Sequence, residues 1–376
     1  MDYYNYRRRE SSVVQIGDTP LGGSYPIRIQ SMTNTSTLDT PGSVEQCIRI
    51  IEAGADYVRL TAQGVREAEN LANIEKELHE RGYHTPLVAD IHFNPKAADA
   101  AACTVEKVRI NPGNFVDSAR TFKQIDYTDE EYAAELKRLR ERFVAFLDIC
   151  KEHHTAIRLG VNHGSLSDRI MSRYGDTPAG MVESCMEFLR ICRDEHFDNV
   201  AISIKASNTV VMVATVRLLI QTMDAEGMHY PLHLGVTEAG DGEDGRIKSA
   251  VGIGTLLADG IGDTIRVSLS EAPEAEVPVA RKLVDYITAR AGHAPIVAPE
   301  LSLEQLAARP KEHIEEIGAG EQPVVIAEGK PGEGAKADFY YTRDQAAGGA
   351  VRSIVDYPHY RGEAHTCPLF RAADWQ

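Results

Sequence analysis

Five segments of the sequence repeat one pattern, in which a basic residue stands between two aliphatic residues and a polar residue or glycine follows. They are V-R-L-T at 58–61, V-R-I-N at 108–111, I-R-L-G at 157–160, I-K-A-S at 204–207 and I-R-V-S at 265–268. Neighbouring residues of a β-strand point to opposite faces, so the aliphatic residues would share one face and the cations the other. The pattern predicts that five cations converge on one interior: Arg59, Arg109, Arg158, Lys205 and Arg266.

Convergence of these cations would build a site for an anion, in a chain whose formal net charge is −16. A single basic residue in a strand is commonly solvated or paired with a nearby carboxylate, but burying an unpaired charge costs several kcal/mol. The acids that stand at the same ends of strands are Asp90 in V-A-D-I-H and Glu238 in V-T-E-A-G. Five cations against two acids leave a surplus of three, which favours a phosphate-rich ligand.

Other polar residues could assist at such a site. Asp90 and His92 share one face of their strand and could form an acid–base or orienting pair, the alternative being a hydrogen-bonded core histidine. Four further residues stand near strand ends, where their side chains could donate hydrogen bonds to phosphate or hydroxyl groups: Asn111, Asn162, Ser207 and Ser268.

Lys205 leaves two chemistries open. A lysine whose pKa is lowered by neighbouring cations can form a Schiff base with a carbonyl substrate. Phosphate binding instead needs a charged ammonium group, and the sequence favours this charged role.

The elements that would position these residues are eight strand-like runs, with amphipathic helix patterns between most of them. Repeated strand–helix alternation predicts an α/β fold of the (β/α)₈ TIM-barrel type, whose active sites lie at the C-terminal ends of the strands. The runs are 26–32, 57–61, 86–91, 107–110, 156–161, 199–205, 231–236 and 263–268. The opening segment 13–23 predicts a short hairpin that plugs the bottom of the barrel.

The glycine-rich segment Glu238–Ser249 follows the seventh run and precedes a helix. Loops at this position often bind phosphate in TIM barrels. Its acidic residues Asp241, Glu243 and Asp244 oppose an anion cradle, so a flexible loop is an equally good interpretation.

The length of 376 residues predicts a barrel over residues 1–292 and the start of a second α/β region over 293–376, where prolines and glycines become frequent. No apolar run reaches the roughly 20 residues that span a bilayer, and the N-terminus lacks the apolar core of a secretory signal. The acidic balance argues against a nucleic-acid surface. We therefore expect a cytoplasmic protein without a membrane or nucleic-acid partner.

The six cysteines form no C-x-x-C pair, and most stand among apolar residues of helix-like segments, which predicts buried reduced thiols. No metal-ligand spacing follows from them. We therefore expect this chain by itself to bind no metal.

Seven motifs together resemble the 4-hydroxy-3-methylbut-2-enyl diphosphate synthase family, iron–sulfur enzymes of the methylerythritol phosphate route to isoprenoids. They occur in family order across about residues 12–292. The D-G-E-D-G-R loop resembles the long form of the family, which carries a domain inserted between the barrel and the cluster domain. The motifs are S-M-T-N-T (31–35), V-A-D-I-H-F (88–93), V-R-I-N-P-G-N (108–114), I-R-L-G-V-N-H-G-S-L (157–166), I-K-A-S (204–207), L-H-L-G-V-T-E-A-G (232–240) and G-D-T-I-R-V-S-L (262–269).

The resemblance implies reductive ring opening and dehydration of 2-C-methyl-D-erythritol 2,4-cyclodiphosphate. It implies that the five cations grip the diphosphate, that Asn111, Asn162, Ser207 and Ser268 assist, and that Glu238 is the catalytic proton donor. It also implies a [4Fe–4S] cluster held by three cysteines and a glutamate, flavodoxin or ferredoxin as the electron donor, and a homodimer.

The chain departs from the family in lacking the C-P-x-C pair and the third cysteine of the cluster domain. We expect that the cluster ligands lie outside this chain, which alone would bind substrate without reducing it. Two alternatives stay open: a Schiff-base aldolase that uses Lys205 on a phosphorylated sugar, and a non-catalytic diphosphate-binding module.

Overall fold

The computed structural model describes residues 4–117, 127–297, 325–328, 337–342, 351–356, 361 and 366–369. The chain divides into two compact units, residues 1–296 and residues 297–376. Within the described ranges, no helix combines the length and the apolar content needed to cross a membrane.

Eight parallel strands form the sheet of the first unit, in the order β6-β5-β4-β3-β2-β1-β8-β7. A parallel bridge between Ile202 and Leu232 joins the two edge strands and closes the sheet into a barrel. The predicted (β/α)₈ fold is thus confirmed. The strands are β1 (Arg28–Met32), β2 (Tyr57–Ala62), β3 (Leu87–Ile91), β4 (Lys107–Ile110), β5 (Ala156–Asn162), β6 (Val200–Lys205), β7 (His233–Leu234) and β8 (Thr264–Ile265).

Helices follow the strands and cover the outside of the barrel with their apolar faces. Several begin at a side chain that accepts a backbone N–H, as Asp39 does for α1 and Asn208 for α8. The helices are α1 (Thr40–Glu52), α2 (Val65–Glu80), α3 (Pro95–Ala102), α4 (Pro112–Phe115), α5 (Asp129–Glu152), α6 (Asp168–Tyr174), α7 (Pro178–Asp194), α8 (Thr209–Ala225), α9 (Gly242–Ala258) and α10 (Pro273–Thr288).

Strand side chains alternate between an aliphatic outer face and a polar inner face of the barrel, as the sequence predicts. The aliphatic neighbours of the cations, such as Val58 and Leu60, belong to the large core between the sheet and the helices. Residues of the other parity face the barrel interior, where the register places Asp90 beside Arg109 and Arg109 beside Arg158. The barrel interior of this protein is therefore charged, whereas TIM barrels are usually filled by branched aliphatic side chains.

A short hairpin closes the N-terminal end of the barrel. Val14 and Leu21 pair in antiparallel fashion through two backbone hydrogen bonds of 2.9 and 3.0 Å. Their side chains form a separate buried apolar cluster with Ile16 and with Tyr57, Val88 and Ala156 of the barrel strands. This plug confirms the hairpin that the sequence predicts.

The second unit contains a parallel four-stranded sheet in the order β12-β11-β10-β9. Its strands are β9 (Ile326–Glu328), β10 (Phe339–Thr342), β11 (Val351–Asp356) and β12 (Thr366–Leu369).

Candidate anion-binding site

A cavity of about 460 Å³ opens at the C-terminal ends of the barrel strands. All five cations that the sequence predicts to converge line this cavity. Their clustering follows from strand parity, since each cation has the register that points into the barrel. The cavity is also lined by five other predicted site residues: Asp90, His92, Asn162, Glu238 and Ser268.

Asp90 neutralises part of the positive charge of the five cations. Its Oδ1 lies 3.2 Å from Nη1 of Arg109, and its Oδ2 lies 3.6 Å from Nε of Arg59. Burial alone would raise the pKa of Asp90, but Arg59 and Arg109, together with the His92 hydrogen bond and Arg158, hold that pKa well below its ordinary value. Asp90 is therefore an ionised anchor for two arginines.

His92 lies next to the same carboxylate, with its Nε2 3.3 Å from Oδ2 of Asp90. The predicted contact between the two residues is present. Since Asp90 is committed to Arg59 and Arg109, the geometry suits an orienting contact better than a proton exchange.

Arg266 is held by an acid that the sequence analysis missed. Glu276 on α10 accepts hydrogen bonds of 3.0 Å from both Nε and Nη2 of Arg266. The same buried carboxylate accepts from the hydroxyl of Ser31 and from the backbone N–H of Leu269. Glu276 therefore fixes Arg266 from outside the barrel.

Arg158 and Lys205 have no acidic partner in the part of the chain that the structure describes. Arg158 is 1% exposed, and its Nε and Nη1 have no hydrogen-bond partner there. Burial, followed by the surrounding arginines, lowers the pKa of both side chains well below the ordinary values. An arriving anion would relieve this repulsion.

The charge balance differs from the one read from the sequence, because Glu276 adds a third carboxylate to Asp90 and Glu238. Five cations now face three acids, which leaves a surplus of two positive charges rather than three.

Two glycines create the space that the long cations occupy. A β-carbon on Gly160 would lie 2.3 Å from Nε of Arg109, whose Nη2 donates a 2.8 Å hydrogen bond to the carbonyl of Gly160. A β-carbon on Gly235 would lie 3.0 Å from Nζ of Lys205. Glycine at position 160 is therefore needed for Arg109 to cross the barrel, and glycine at 235 leaves close room for Lys205.

Glu238 is exposed at the cavity mouth, unlike the buried Asp90 and Glu276. Its backbone has φ +52°, a left-handed conformation that is costly for a residue other than glycine. Its carbonyl accepts a hydrogen bond of 3.1 Å from Nζ of Lys248. Strain at a cavity residue is typical of functional sites.

Two predicted residues lie outside the cavity lining. The carboxamide of Asn111 caps α4 by accepting from the N–H of Gly113, and its amide donates to Oγ of Ser165. Ser207 is exposed in the turn that precedes α8. Of the glycine-rich segment after β7, only Glu238 lines the cavity, and Asp241 caps α9.

The sequence analysis also missed cavity residues without charge. Ser203 and Thr61 stand two positions from a cation on the same strand, so parity alone could have found them. Met32 does not stand two positions from a cation on its strand, so parity could not have found it. Its sulfur accepts hydrogen bonds of 2.7 Å from Nη2 of Arg59 and 3.5 Å from Nη1 of Arg266.

Comparisons with known proteins agree with this geometry. The 4-hydroxy-3-methylbut-2-en-1-yl diphosphate synthase (flavodoxin) of Parabacteroides distasonis is 71% identical over 336 residues, which are 89% of this chain and 55% of that protein. The enzyme of the same name from Bacteroides thetaiotaomicron is 63% identical over 99% of this chain and 63% of its own length. The chloroplastic ferredoxin form from Oryza sativa is 52% identical over 79% of this chain and 40% of its own. The chain thus spans less than two thirds of the length of these relatives.

A family model described as the GcpE TIM-barrel domain matches residues 11–281, which include every strand of the barrel and every residue of the cavity. This chain therefore belongs to the GcpE TIM-barrel family.

Proposed function

We propose that the cavity binds 2-C-methyl-D-erythritol 2,4-cyclodiphosphate, and that this chain is the substrate-binding barrel of a 4-hydroxy-3-methylbut-2-enyl diphosphate synthase. The observation that carries the proposal is the buried surplus of two positive charges at the mouth of the barrel. A cyclic diphosphate bears one ionised oxygen on each phosphorus, so its two negative charges match this surplus. The relatives named above are 4-hydroxy-3-methylbut-2-en-1-yl diphosphate synthases.

In this proposal the unpaired cations Arg158 and Lys205 make the principal contacts with the two phosphates. Arg59, Arg109 and Arg266 are oriented by Asp90 and Glu276, and therefore present fixed hydrogen-bond donors.

Other polar side chains complete the proposed ligand shell. Asn162, Ser268 and His92 line the cavity and would hydrogen-bond the remaining phosphate and hydroxyl oxygens. For Asn111 and Ser207 a substrate contact rests on the family resemblance alone.

Glu238 is the proposed proton donor. In the proposed reaction two electrons open the ring and the C3 hydroxyl leaves as water, so a proton must reach that oxygen as its bond to carbon breaks. Glu238 lines the cavity from the exposed rim, where its carboxyl can exchange protons with solvent.

An iron–sulfur cluster does not fit the described residues of this chain. No group of three or more His, Cys, Asp or Glu side chains among them is arranged to hold a metal. The described cysteines Cys47, Cys150, Cys185 and Cys192 are buried, and Cys103 is exposed at the end of α3. We propose that the [4Fe–4S] ligands belong to a further part of a longer protein, and we assign no step of the cluster chemistry to this chain.

The electron source and the assembly belong to the same proposal. Relatives carry flavodoxin or ferredoxin in their names, so we propose a flavodoxin-type or ferredoxin-type donor. The proposal of a homodimer rests on the family resemblance alone. Residues 293–376 would be the beginning of the inserted domain.

Calorimetric titration of the chain with the cyclodiphosphate at two salt concentrations tests the proposal. Binding should weaken at higher salt, since the attraction between ligand and cavity is electrostatic. Arg158→Ala should lower the affinity by about 10- to 100-fold, because it removes a charged hydrogen-bond donor. Arg193→Ala is the matched control, since Arg193 is an exposed arginine of α7 whose ion pairs are on the outer surface. Absence of binding by the wild type would contradict the proposal.

A Schiff-base aldolase is the second candidate, because Lys205 is half-buried, has no acidic partner among the described residues and has a lowered pKa. Borohydride treatment in the presence of phosphorylated aldoses and ketoses separates the two functions. The synthase proposal predicts no covalent adduct, whereas an aldolase would acquire the mass of a reduced adduct that Lys205→Met abolishes.

A further inference from the structure

A second polar layer lies inside the barrel, beneath the cavity. Its side chains are at most 1% exposed, and eight of their polar atoms have no hydrogen-bond partner within the described chain. Two such atoms belong to each of Gln30, Arg158 and His233, and one belongs to each of Lys107 and Thr264.

The strand register places this layer between the plug and the cavity. Lys107 precedes Arg109 by two residues on β4 and pairs with Val88 and Ala156, which contact the plug. Its Nζ lies 4.0 Å from the centre of the Tyr57 ring, also part of the plug cluster. On the opposite side of the barrel His233 pairs with Thr264.

The charged groups that act on Lys107 are the cations Arg158 and Arg59, and no carboxylate is among them. Burial, then these two cations, lowers the pKa of Lys107 well below its ordinary value. His233 is subject to burial and to Arg158, Lys205, Lys107 and Arg59, and its pKa is likewise lowered. Lys107 is thus a fully buried amine whose Nζ has no hydrogen-bond partner among the described residues, an environment that favours the uncharged form.

The unpartnered atoms are suited to ordered water. Buried polar groups without hydrogen bonds are costly, and internal water molecules usually satisfy them with two to four partners each. The layer offers acceptors on Gln30, Thr264 and one ring nitrogen of neutral His233, so it could solvate an ammonium group on Lys107.

We propose that Lys107 is a proton store for ligand binding: it is a neutral amine in the free protein and takes up one proton from water when a polyanion occupies the cavity above it. Gln30, His233 and Thr264, together with ordered water, solvate the ammonium group that forms. The inference rests on the proposed function, since it requires an anionic ligand in the cavity.

The coupling is electrostatic and needs no contact between Lys107 and the ligand. An anion bound at Arg158 offsets the repulsion that the guanidinium exerts on Lys107, and so favours the charged amine. Each phosphorus of a cyclic diphosphate bears one strongly acidic hydroxyl, so the ligand itself does not exchange protons near neutral pH. Lys205 is the competing acceptor, because it too is unpaired and lines the cavity.

The test is titration calorimetry of the whole chain with 2-C-methyl-D-erythritol 2,4-cyclodiphosphate near neutral pH, in three buffers of different ionisation enthalpy. The slope of the observed heat against that enthalpy gives the protons taken up, which should be about one per ligand. Lys107→Met should bind with uptake reduced to less than half, and should fold, since an apolar residue of similar size replaces a buried amine. Lys107→Gln is the second variant, with the same expectation.

Lys205→Met is the comparison for the competing acceptor. It should lose affinity by at least about 10-fold, because it removes a direct contact, while keeping the proton uptake at high ligand concentration. Uptake that is absent in the wild type, or unchanged in both Lys107 variants, would overturn the inference and leave the binding proposal intact. Wild-type protein that does not bind the cyclodiphosphate would overturn both.

Discussion

The α-carbon of Gly160 and the guanidinium group of Arg109 occupy adjoining space inside the barrel. A β-carbon on Gly160 would come within 2.3 Å of Nε of Arg109, and the carbonyl of Gly160 accepts a 2.8 Å hydrogen bond from the same guanidinium. The glycine therefore both makes room for the cation and holds it, while Asp90 holds its other edge.

Gly160→Ala is expected to push Arg109 out of this position. The affinity for the cyclodiphosphate should fall by about 10-fold or more, since a charged hydrogen-bond donor is displaced. Gly254→Ala is the control, because a β-carbon there would lie at an ordinary 3.4 Å from Leu283 on the helical side of the barrel. Calorimetric titration of both variants measures the effect, and equal affinities would contradict it.

Glu276→Gln is expected to destabilise the fold and to release Arg266. The buried carboxylate serves Arg266, Ser31 and the N–H of Leu269, and its loss leaves a cation without its counter-charge. Breaking a buried pair in this way typically lowers the free energy of unfolding by about 3–5 kcal/mol. Urea unfolding measures the change. Glu274→Gln, which removes an exposed ion pair with Arg49, should change it by less than about 1 kcal/mol.

Glu238→Gln is expected to separate binding from catalysis. This chain should bind the cyclodiphosphate at least as tightly as the wild type, because a like charge at the mouth of the cavity is removed. If this chain is the barrel of a longer synthase, as proposed, the same change there should lower kcat by about 10²- to 10⁴-fold, the usual effect of losing a proton donor. A loss of both binding and turnover in equal measure would argue that Glu238 holds substrate instead.

Glu75 on α2 gives the stability a pH dependence. Burial, followed by repulsion from and a hydrogen bond with Glu106, raises the pKa of Glu75 to about 7 from an ordinary 4.5. The folded state thus binds this proton more tightly than the unfolded state, and the stabilisation is lost as the pH rises from 4.5 through about 7.

Glu75→Gln should therefore raise the free energy of unfolding near pH 8 and leave it almost unchanged near pH 4, where both forms are uncharged. Denaturant unfolding at the two pH values measures the difference. Glu69→Gln, which alters another acid of α2, is the matched comparison. A stabilisation of Glu75→Gln that is equal at both pH values would contradict the assignment.

Repeated strand–helix alternation was sufficient to predict the barrel, and strand parity was sufficient to predict the convergence of Arg59, Arg109, Arg158, Lys205 and Arg266. The side-chain period of a strand is two, so a pattern of single cations between aliphatic residues already fixes which face they share. The same pattern occurs at Leu232–Leu234, where His233 stands between two leucines. The pattern of single cations did not include His233, because histidine carries no permanent charge.

Two contacts at the site could not be predicted from strand parity. Glu276 reaches Arg266 from a helix turn, and helix periodicity does not tell which residue points at a strand end. Asn111 has the parity of Arg109, yet its carboxamide is used to cap α4 because the chain turns into a helix at that point. Local hydrogen bonding of this kind competes with a role in the cavity.

The plug at the bottom of the barrel bears on how ligands are exchanged. Val14, Ile16 and Leu21 seal the N-terminal end against Tyr57, so in the described barrel a ligand of the cavity enters and leaves through the opening at the strand C-termini. Two ligands that occupy the cavity therefore compete for one entrance. A segment that covered the mouth would slow both entry and departure.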